Sequence, residues 1–248
     1  MQAILEAKHL YKEYEGTEIL RDIQLAIRQG EFVAVMGQSG GGKSTLLYNI
    51  SGMDKATRGE IIFEGKNMEH LPEKEMSRLR LARMGFIFQK ANLLKNLSIR
   101  DNIIFPGLSL KEVSKHELRE QAEALMERTG IMEIADHDIR KISGGQLQRA
   151  AICRALMNQP DILFGDEPTG ALNSSATKEV LDIFGEIHKE GKTIFLVTHD
   201  AKVAARADRV IYLEDGSIKD ELELGTYTED LQSVREQKMQ TWLAAMGF

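Results

Sequence analysis

An α/β fold around a parallel sheet is what the sequence predicts, from two observations. Short apolar, β-branched runs recur at Glu31–Met36, Met84–Gln89, Asp161–Glu167 and Lys192–Val197, and uninterrupted runs of that length read as strands buried on both faces. Helical patterns separate them, so strand and helix alternate along much of the chain. At 248 residues the chain is long enough for one large α/β domain, or for one domain carrying an inserted lobe.

Composition narrows the class. Charged residues are plentiful and proline is scarce, which argues against disorder. A formal net charge of −6 argues against a general nucleic-acid binder. The single cysteine, Cys153, excludes an intrachain disulfide and points to a reducing compartment. No apolar run approaches the roughly 18 residues needed to cross a bilayer. Met1–Gln2–Ala3–Ile4 lacks the charged-then-apolar start of a secretion signal. The expectation is a soluble, intracellular protein whose membrane role would run through a partner.

In chain order, Ile4–Leu10 and Ile19–Ile27 alternate apolar and polar residues and predict two antiparallel strands. Tyr14 lies between them, where its ring would either stack on a base or pack half-buried. Glu31–Met36 then leads into Gly37–Gln38–Ser39–Gly40–Gly41–Gly42–Lys43–Ser44–Thr45, and from Lys43 to Ile50 the pattern is helical. That context gives the loop a mechanism. With little side-chain bulk at Gly37, Ser39, Gly40 and Gly42, the backbone N–H groups can fold around phosphates at the positive end of the helix. Lys43 would reach the β- and γ-phosphates and the Ser44 hydroxyl would ligate Mg²⁺. The loop predicts a bound nucleotide.

Gly59–Gly65 reads as another strand, and Met84–Phe88 as an apolar strand ending in Gln89, on its face an ordinary loop start. Between Ser98 and Gly130 the character turns helical. Lys111–Thr129 is rich in helix formers and Gly130 is placed as a stop. No linker sets this part off, so it reads as a lobe inserted into the core. Ser143–Gly144–Gly145–Gln146 opens a helix through Met157. Ser143 and Gln146 have the spacing of a capping box, but the two glycines leave the helix tip bare, which suits an anion.

Asp166 and Glu167 end the next strand. Two acids leaving an apolar strand are costly as core filler, and in an open parallel sheet ligands sit beyond the C-terminal strand ends. Asp166 is therefore expected to hold Mg²⁺ through its water shell, with Glu167 facing the attacking water. Ser174–Lys189 is an amphipathic helix with Val180, Ile183, Phe184 and Ile187 on one face. Lys192–Val197 runs into Thr198–His199–Asp200, where His199 is either structural or placed at the phosphate end of its strand. Asp215–Gly216 signals a hairpin between Val210–Leu213 and Ile218. From about Glu221 the tail turns charged and helical, with Trp242, Leu243 and Phe248 at its end. It is either a docking or dimer element or a frayed terminus.

Taken in order, Tyr14, Gly37–Thr45, Gln89, Ser143–Gln146, Ile162–Glu167 and His199 resemble the ATP-binding-cassette (ABC) ATPases over roughly residues 3–220. The run Leu163–Leu172, Leu-Phe-Gly-Asp-Glu-Pro-Thr-Gly-Ala-Leu, is especially specific. The resemblance implies a P-loop NTPase fold forming a single domain over 1–220. Its RecA-like core would lie at about 1–89 and 158–220, with an N-terminal antiparallel β subdomain, a helical lobe at about 90–157 and a helical tail over 221–248. By the same resemblance Tyr14 stacks on adenine, and Lys43, Ser44 and Thr45 serve the phosphates and Mg²⁺. Gln89 touches Mg²⁺ and the attacking water, Asp166 supports the metal, Glu167 is the general base and His199 clamps the γ-phosphate.

Ser143, Gly144, Gly145 and Gln146 would bind the nucleotide, Ser143 and Gly145 holding the γ-phosphate of an ATP carried by another copy, which implies a homodimer closed around two ATP molecules. One departure stands out: the residue after Ala171–Leu172 is usually aspartate in this family, and here it is Asn173. Phe86–Gln89, Asn92–Leu94 and Glu167–Leu172 look most like the subgroup of macrolide exporters, lipoprotein-release ATPases and antimicrobial-peptide resistance systems, and Ala171–Leu172 together with Asn92–Leu94 after Gln89 leans toward the bacitracin-resistance type. The implied function is an energising subunit, peripheral on the inner face of the membrane, that drives a separate integral-membrane permease. The alternative is a regulatory ATPase like the cell-division relative of the subgroup, which moves a membrane partner without transport.

Overall fold

The structure is a computed structural model that describes residues 3–247; Met1 and Gln2, which open the chain, and Phe248, expected at the end of the tail, lie outside the described residues. The chain begins with β1 (Ala3–Tyr14) and β2 (Thr17–Arg28), followed by β3 (Phe32–Met36) and α1 (Lys43–Ile50). Then come β4 (Arg58–Phe63), the short β5 (Lys66–Asn67) and α2 (Glu73–Arg83). β6 (Met84–Phe88) precedes α3 (Ile99–Leu110), α4 (Lys115–Arg128) and α5 (Gly144–Leu156). β7 (Ile162–Asp166), α6 (Ser174–Lys189), β8 (Thr193–Val197) and α7 (Ala201–Ala204) follow. β9 (Arg209–Glu214), β10 (Ser217–Glu223) and α8 (Gln232–Ala245) close the sequence. The chain divides into two compact units, Met1–Met76 with Ile187–Phe248, and Ser77–Glu186.

In the first unit, four antiparallel strands lie in the order β2-β1-β4-β5. β1 and β2 pair from Ala3↔Arg28 to Tyr14↔Thr17, well beyond the alternating runs read from sequence. Register shifts explain the difference. Those between Leu10 and Lys12 and between Lys12 and Glu13 break the polar–apolar rhythm beyond Leu10 while the pairing continues to Tyr14↔Thr17. The other strands of this unit put β3 between β8 and β9, parallel to both, with β10 antiparallel on β9. Every residue of β3 and β8 is buried, as continuous apolar strands require.

The β9–β10 hairpin turns on Asp215 and Gly216, both at positive φ (47° and 76°), the backbone that the Asp-Gly pair favours. β10 runs on to Glu223, so the helical tail begins later than its charge pattern suggests. α8 is docked on its own unit rather than frayed. Met239 and Leu243 are buried, Trp242 donates to Asp220 at 2.7 Å and meets Tyr212 edge-on.

The second unit pairs β6 with β7 in parallel, from Met84↔Ile162 to Phe88↔Asp166. Phe86 and Phe164 stack at 5.5 Å on this pair. α3, α4 and α5 share a core that includes Ile99, Ile103, Leu118, Met126, Ala150 and Cys153. Burial pushes the Cys153 thiol up to about 11, and it packs as a small apolar group beside Thr129. The helix expected from Lys111 starts at Lys115. Lys111 takes a left-handed φ of 60° and ends α3, while Ser114 and Glu117 cap α4 reciprocally at 3.2 and 2.8 Å. Among the described residues, no helix is long and apolar enough to cross a membrane.

Candidate nucleotide site

The candidate residues divide between the two units. Tyr14, Gly37–Thr45 and His199 belong to the first; Gln89, Ser143–Gln146, Asp166 and Glu167 belong to the second.

The phosphate loop leaves β3 at Gly37, whose φ of 148° is accompanied by close backbone packing. A Cβ at Gly37 would stand 1.9 Å from the carbonyl oxygen of Leu213, so only glycine fits. The loop then turns back on itself, Gly41 N–H donating to the Gln38 carbonyl at 3.1 Å. Lys43 is buried, and its Nζ donates to the carbonyls of Gly37 and Gln38 at 2.9 and 2.8 Å. The lysine thus spans the mouth of a loop that ends in Gly42, the cap of α1. No side chain caps that helix and no acidic residue occupies its first turn. The start of α1, with Ser44 and Thr45 in its first turn, presents positive backbone dipole.

β3 and β8 are adjacent with Val35 opposite Val197. Gly37 and His199 therefore sit two residues beyond one matched pair, at the same end of two parallel strands. Thr198 N–H still bonds to Val35 at 3.0 Å, which holds the approach to His199, and His199 itself is exposed.

Tyr14 ends β1 and is 45% exposed. Its phenol donates to the Asp54 carboxylate, a bond that, with burial and the carboxylate charge, pushes the phenol up to about 12. Lys12, buried beside it, donates to Asp54 and to the Lys55 carbonyl. Burial alone would raise the Asp54 carboxyl, but the bonds from Tyr14 and Lys12 outweigh it and hold the group below the usual range. The sequence reading singled out neither Lys12 nor Asp54. Lys12 had a signal, since it lies two residues before Tyr14 and so shares its strand face. Asp54, distant in sequence, had none.

In the second unit, the register of β6 and β7 places Phe88 opposite Asp166. Gln89 and Glu167 therefore leave the pair at the same end, and they converge. A Cβ added at Gly170 would lie 2.9 Å from the Gln89 amide nitrogen and 3.2 Å from a Glu167 carboxylate oxygen. Gly170, unremarked in the sequence reading except within its motif, is the floor on which the two side chains meet. Glu167 holds a left-handed φ of 50°, and Gly170 N–H returns to its carbonyl at 3.0 Å. A non-glycine residue in that conformation is uncommon and concentrates at functional turns.

Ser143 caps α5. Its hydroxyl accepts from Gln146 N–H at 3.3 Å while the Gln146 side chain accepts from Ser143 N–H at 3.2 Å. The structural half of the sequence reading is therefore realised. The glycines between them border a cavity of about 540 Å³ that Leu172, Asn173 and Ala176 also line. Asn173 caps the start of α6, its amide oxygen accepting from Ala176 N–H at 2.9 Å. Arg149 of α5 pairs with Glu179 of α6, and Gln148 ties α5 to the Phe88 carbonyl at 3.0 Å.

Comparison with known proteins bears on the family and the fold. A family model described as "ABC transporter" matches residues 20–170. The lipoprotein-releasing system ATP-binding protein LolD of Aquifex aeolicus is 41% identical, over 90% of this chain and 99% of its own. The bacitracin export ATP-binding protein BceA of Halalkalibacterium halodurans is 42% identical, over 90% of each. The macrolide export ATP-binding/permease protein MacB of a Shewanella species is 41% identical, but the chain spans only 33% of its length. Among solved structures, a dimeric ATP-binding cassette in a post-hydrolysis state, bound to ADP and Pi, superposes with a TM-score of 0.83 at 35% identity, over 90% of this chain and 100% of that one.

Proposed function

The chain belongs to the ABC transporter family, and from that premise we propose that it hydrolyses ATP, as a homodimer, to drive a separate integral-membrane permease. The phosphate loop carries the reading: a Gly37 backbone that admits no side chain, closed by Lys43 over its own carbonyls, at the uncapped start of α1. Such a loop offers N–H groups and one ammonium to a triphosphate and little else. The residue roles belong to the same proposal, as does the reading of residues 1–220 as one ATPase domain. Tyr14 stacks on the base, and Lys43 and Thr45 serve the phosphates. Glu167 is the base that takes a proton from water, Gln89 orients that water, and His199 holds the γ-phosphate.

The hydroxyl of Ser44 and the amide oxygen of Gln89 are hard oxygen donors, the kind that Mg²⁺ would take alongside substrate phosphates, with the Asp166 carboxylate supporting the ion through its water shell. The ion supplies neutralisation of developing phosphate charge. Dimerisation is supported by the dimeric relative and by the exposed, glycine-lined tip of α5. The substrate reading is export or extraction of antimicrobial peptides or similar amphiphiles, supported by the match to the bacitracin exporter over nearly the full length of both chains. The test is co-purification from membranes, followed by ATPase assays of the reconstituted complex with bacitracin and, separately, with a lipoprotein. Recovery of a permease and stimulation by the peptide are expected. Stimulation by the lipoprotein alone would overturn the substrate reading, and recovery of no integral-membrane protein would overturn the permease.

A further inference from the structure

Tyr14 does not stand alone at the end of β1. The Lys12 ammonium sits 4.5 Å from the centre of its ring, and the same ammonium donates to Asp54 at 2.9 Å and to the Lys55 carbonyl at 2.7 Å. The other oxygen of Asp54 accepts the Tyr14 phenol. Three side chains therefore close a ring of contacts: ammonium on the aromatic face, ammonium on the carboxylate, and carboxylate on the phenol.

Lys12 is only 7% exposed while Tyr14 is 45% exposed: a buried cation covers one face of a ring that keeps much of its surface in solvent. Asp54 is itself fixed. Its N–H bonds to Tyr48 in α1 at 3.0 Å, and the segment after it is laced to β1 by Thr57 N–H on the Tyr11 carbonyl at 2.9 Å and Glu13 N–H on the Thr57 hydroxyl at 2.9 Å. The group therefore ties the tyrosine to the helix that begins at the phosphate loop.

We infer that Lys12 and Asp54 are positioning residues for the nucleobase: they hold the Tyr14 ring in one rotamer, cation on the inner face, so that the outer face is ready to stack on adenine. The inference rests on the base-stacking reading of Tyr14. A buried ammonium needs a counter-charge and hydrogen bonds, which Asp54 and Lys55 provide. A cation on one face of an aromatic ring is itself attractive, and a ring already immobilised loses less freedom when a base stacks on it.

Equilibrium binding of ATP and of inorganic tripolyphosphate to the full chain tests this, in Tyr14→Ala, Lys12→Met, Asp54→Asn and Tyr14→Phe, each checked for folding by thermal melting. In Lys12→Met and Asp54→Asn the dissociation constant for ATP should rise roughly 3- to 10-fold, the scale of a lost cation–π contact and a freed side chain. Tripolyphosphate, which has no base, should bind as before. If Tyr14→Ala leaves ATP binding unchanged, the base-stacking reading falls, and the inference with it. If Tyr14→Ala weakens ATP while Lys12→Met and Asp54→Asn do not, only the inference falls. Equal weakening of ATP and tripolyphosphate in Lys12→Met would also overturn it, by showing a support for the phosphate loop rather than for the base. Should the buried substitutions fail to fold, Tyr14→Phe decides, since it removes only the phenolic bond. Weaker ATP binding is expected there, and unchanged binding overturns the inference.

Discussion

His188, near the end of α6, is a residue whose protonated form the fold favours. Its Nε2 lies 2.9 Å from Asp208 and 3.0 Å from the Gly30 carbonyl. The hydrogen bond to Asp208, aided by its charge, raises the imidazole's affinity for a proton against the opposing effect of burial. Because the folded value is raised, the stabilisation is complete below the unfolded value of about 6.5 and fades as pH climbs through the folded one. Relative to the parent, His188→Gln should melt about 3–6 °C lower at pH 5.5, where the lost bond is charge-assisted. The gap should narrow at pH 8.5, and a gap flat with pH would refute the assignment. At Glu167 the expected effect is on rate. Glu167→Gln keeps the shape that meets Gln89 above Gly170 but cannot take a proton. Turnover should drop by about 100-fold or more with ATP binding retained in equilibrium dialysis, and ordinary turnover would remove Glu167 from the role of base.

Elements show where sequence is enough and where it is not. The strands β3, β7 and β8 were legible because nearly continuous burial leaves an unbroken apolar run, β6 because its residues are apolar even where Phe86 and Phe88 are half-buried, and Ser174–Lys189 because one face of a helix repeats. The ends of β1 and β2 were not, since the register shifts past Leu10 break the alternation without ending the pairing. Nor was the start of α4, where a cap at Ser114 overrides the helix propensity of the preceding residues. The phosphate loop and the two acids could be read from residue types and order. The meeting of Gln89 and Glu167 could not, because it depends on a register between strands far apart in sequence.

The docking of α8 was hidden for the same reason. Arg235 is buried and donates to the carbonyls of Ala205, Ala207, Leu224, Gly225 and Thr226. All five acceptors are backbone, so no side-chain pattern announces them. Arg235→Leu would strand several of these carbonyls at a cost of about 3 kcal/mol. Thermal melting should fall by roughly 6–12 °C for a chain of this size. ATP affinity should hold within about twofold, because none of these bonds involves the phosphate loop; a large loss of affinity with normal melting would point to another role for α8.

At the scale of the whole molecule the question is how copies assemble. The tip of α5 carries a cap satisfied within itself, yet Ser143 and the glycines after it border a cavity of about 540 Å³ in which a helix N-terminus faces outward. An anion brought by a second copy would meet backbone N–H groups there. If that anion is the γ-phosphate, ATP must glue the dimer and its hydrolysis must release it, so assembly and turnover are coupled through one contact. The Glu167→Gln background makes this measurable, because stalled hydrolysis should accumulate the ATP-bound pair. In gel filtration with ATP, Glu167→Gln should elute as a dimer. Adding Ser143→Arg places a bulky side chain at the tip, and the double variant should elute as a monomer that still binds ATP with nearly parental affinity. A double variant that remains dimeric would show that the α5 tip does not receive its neighbour's nucleotide.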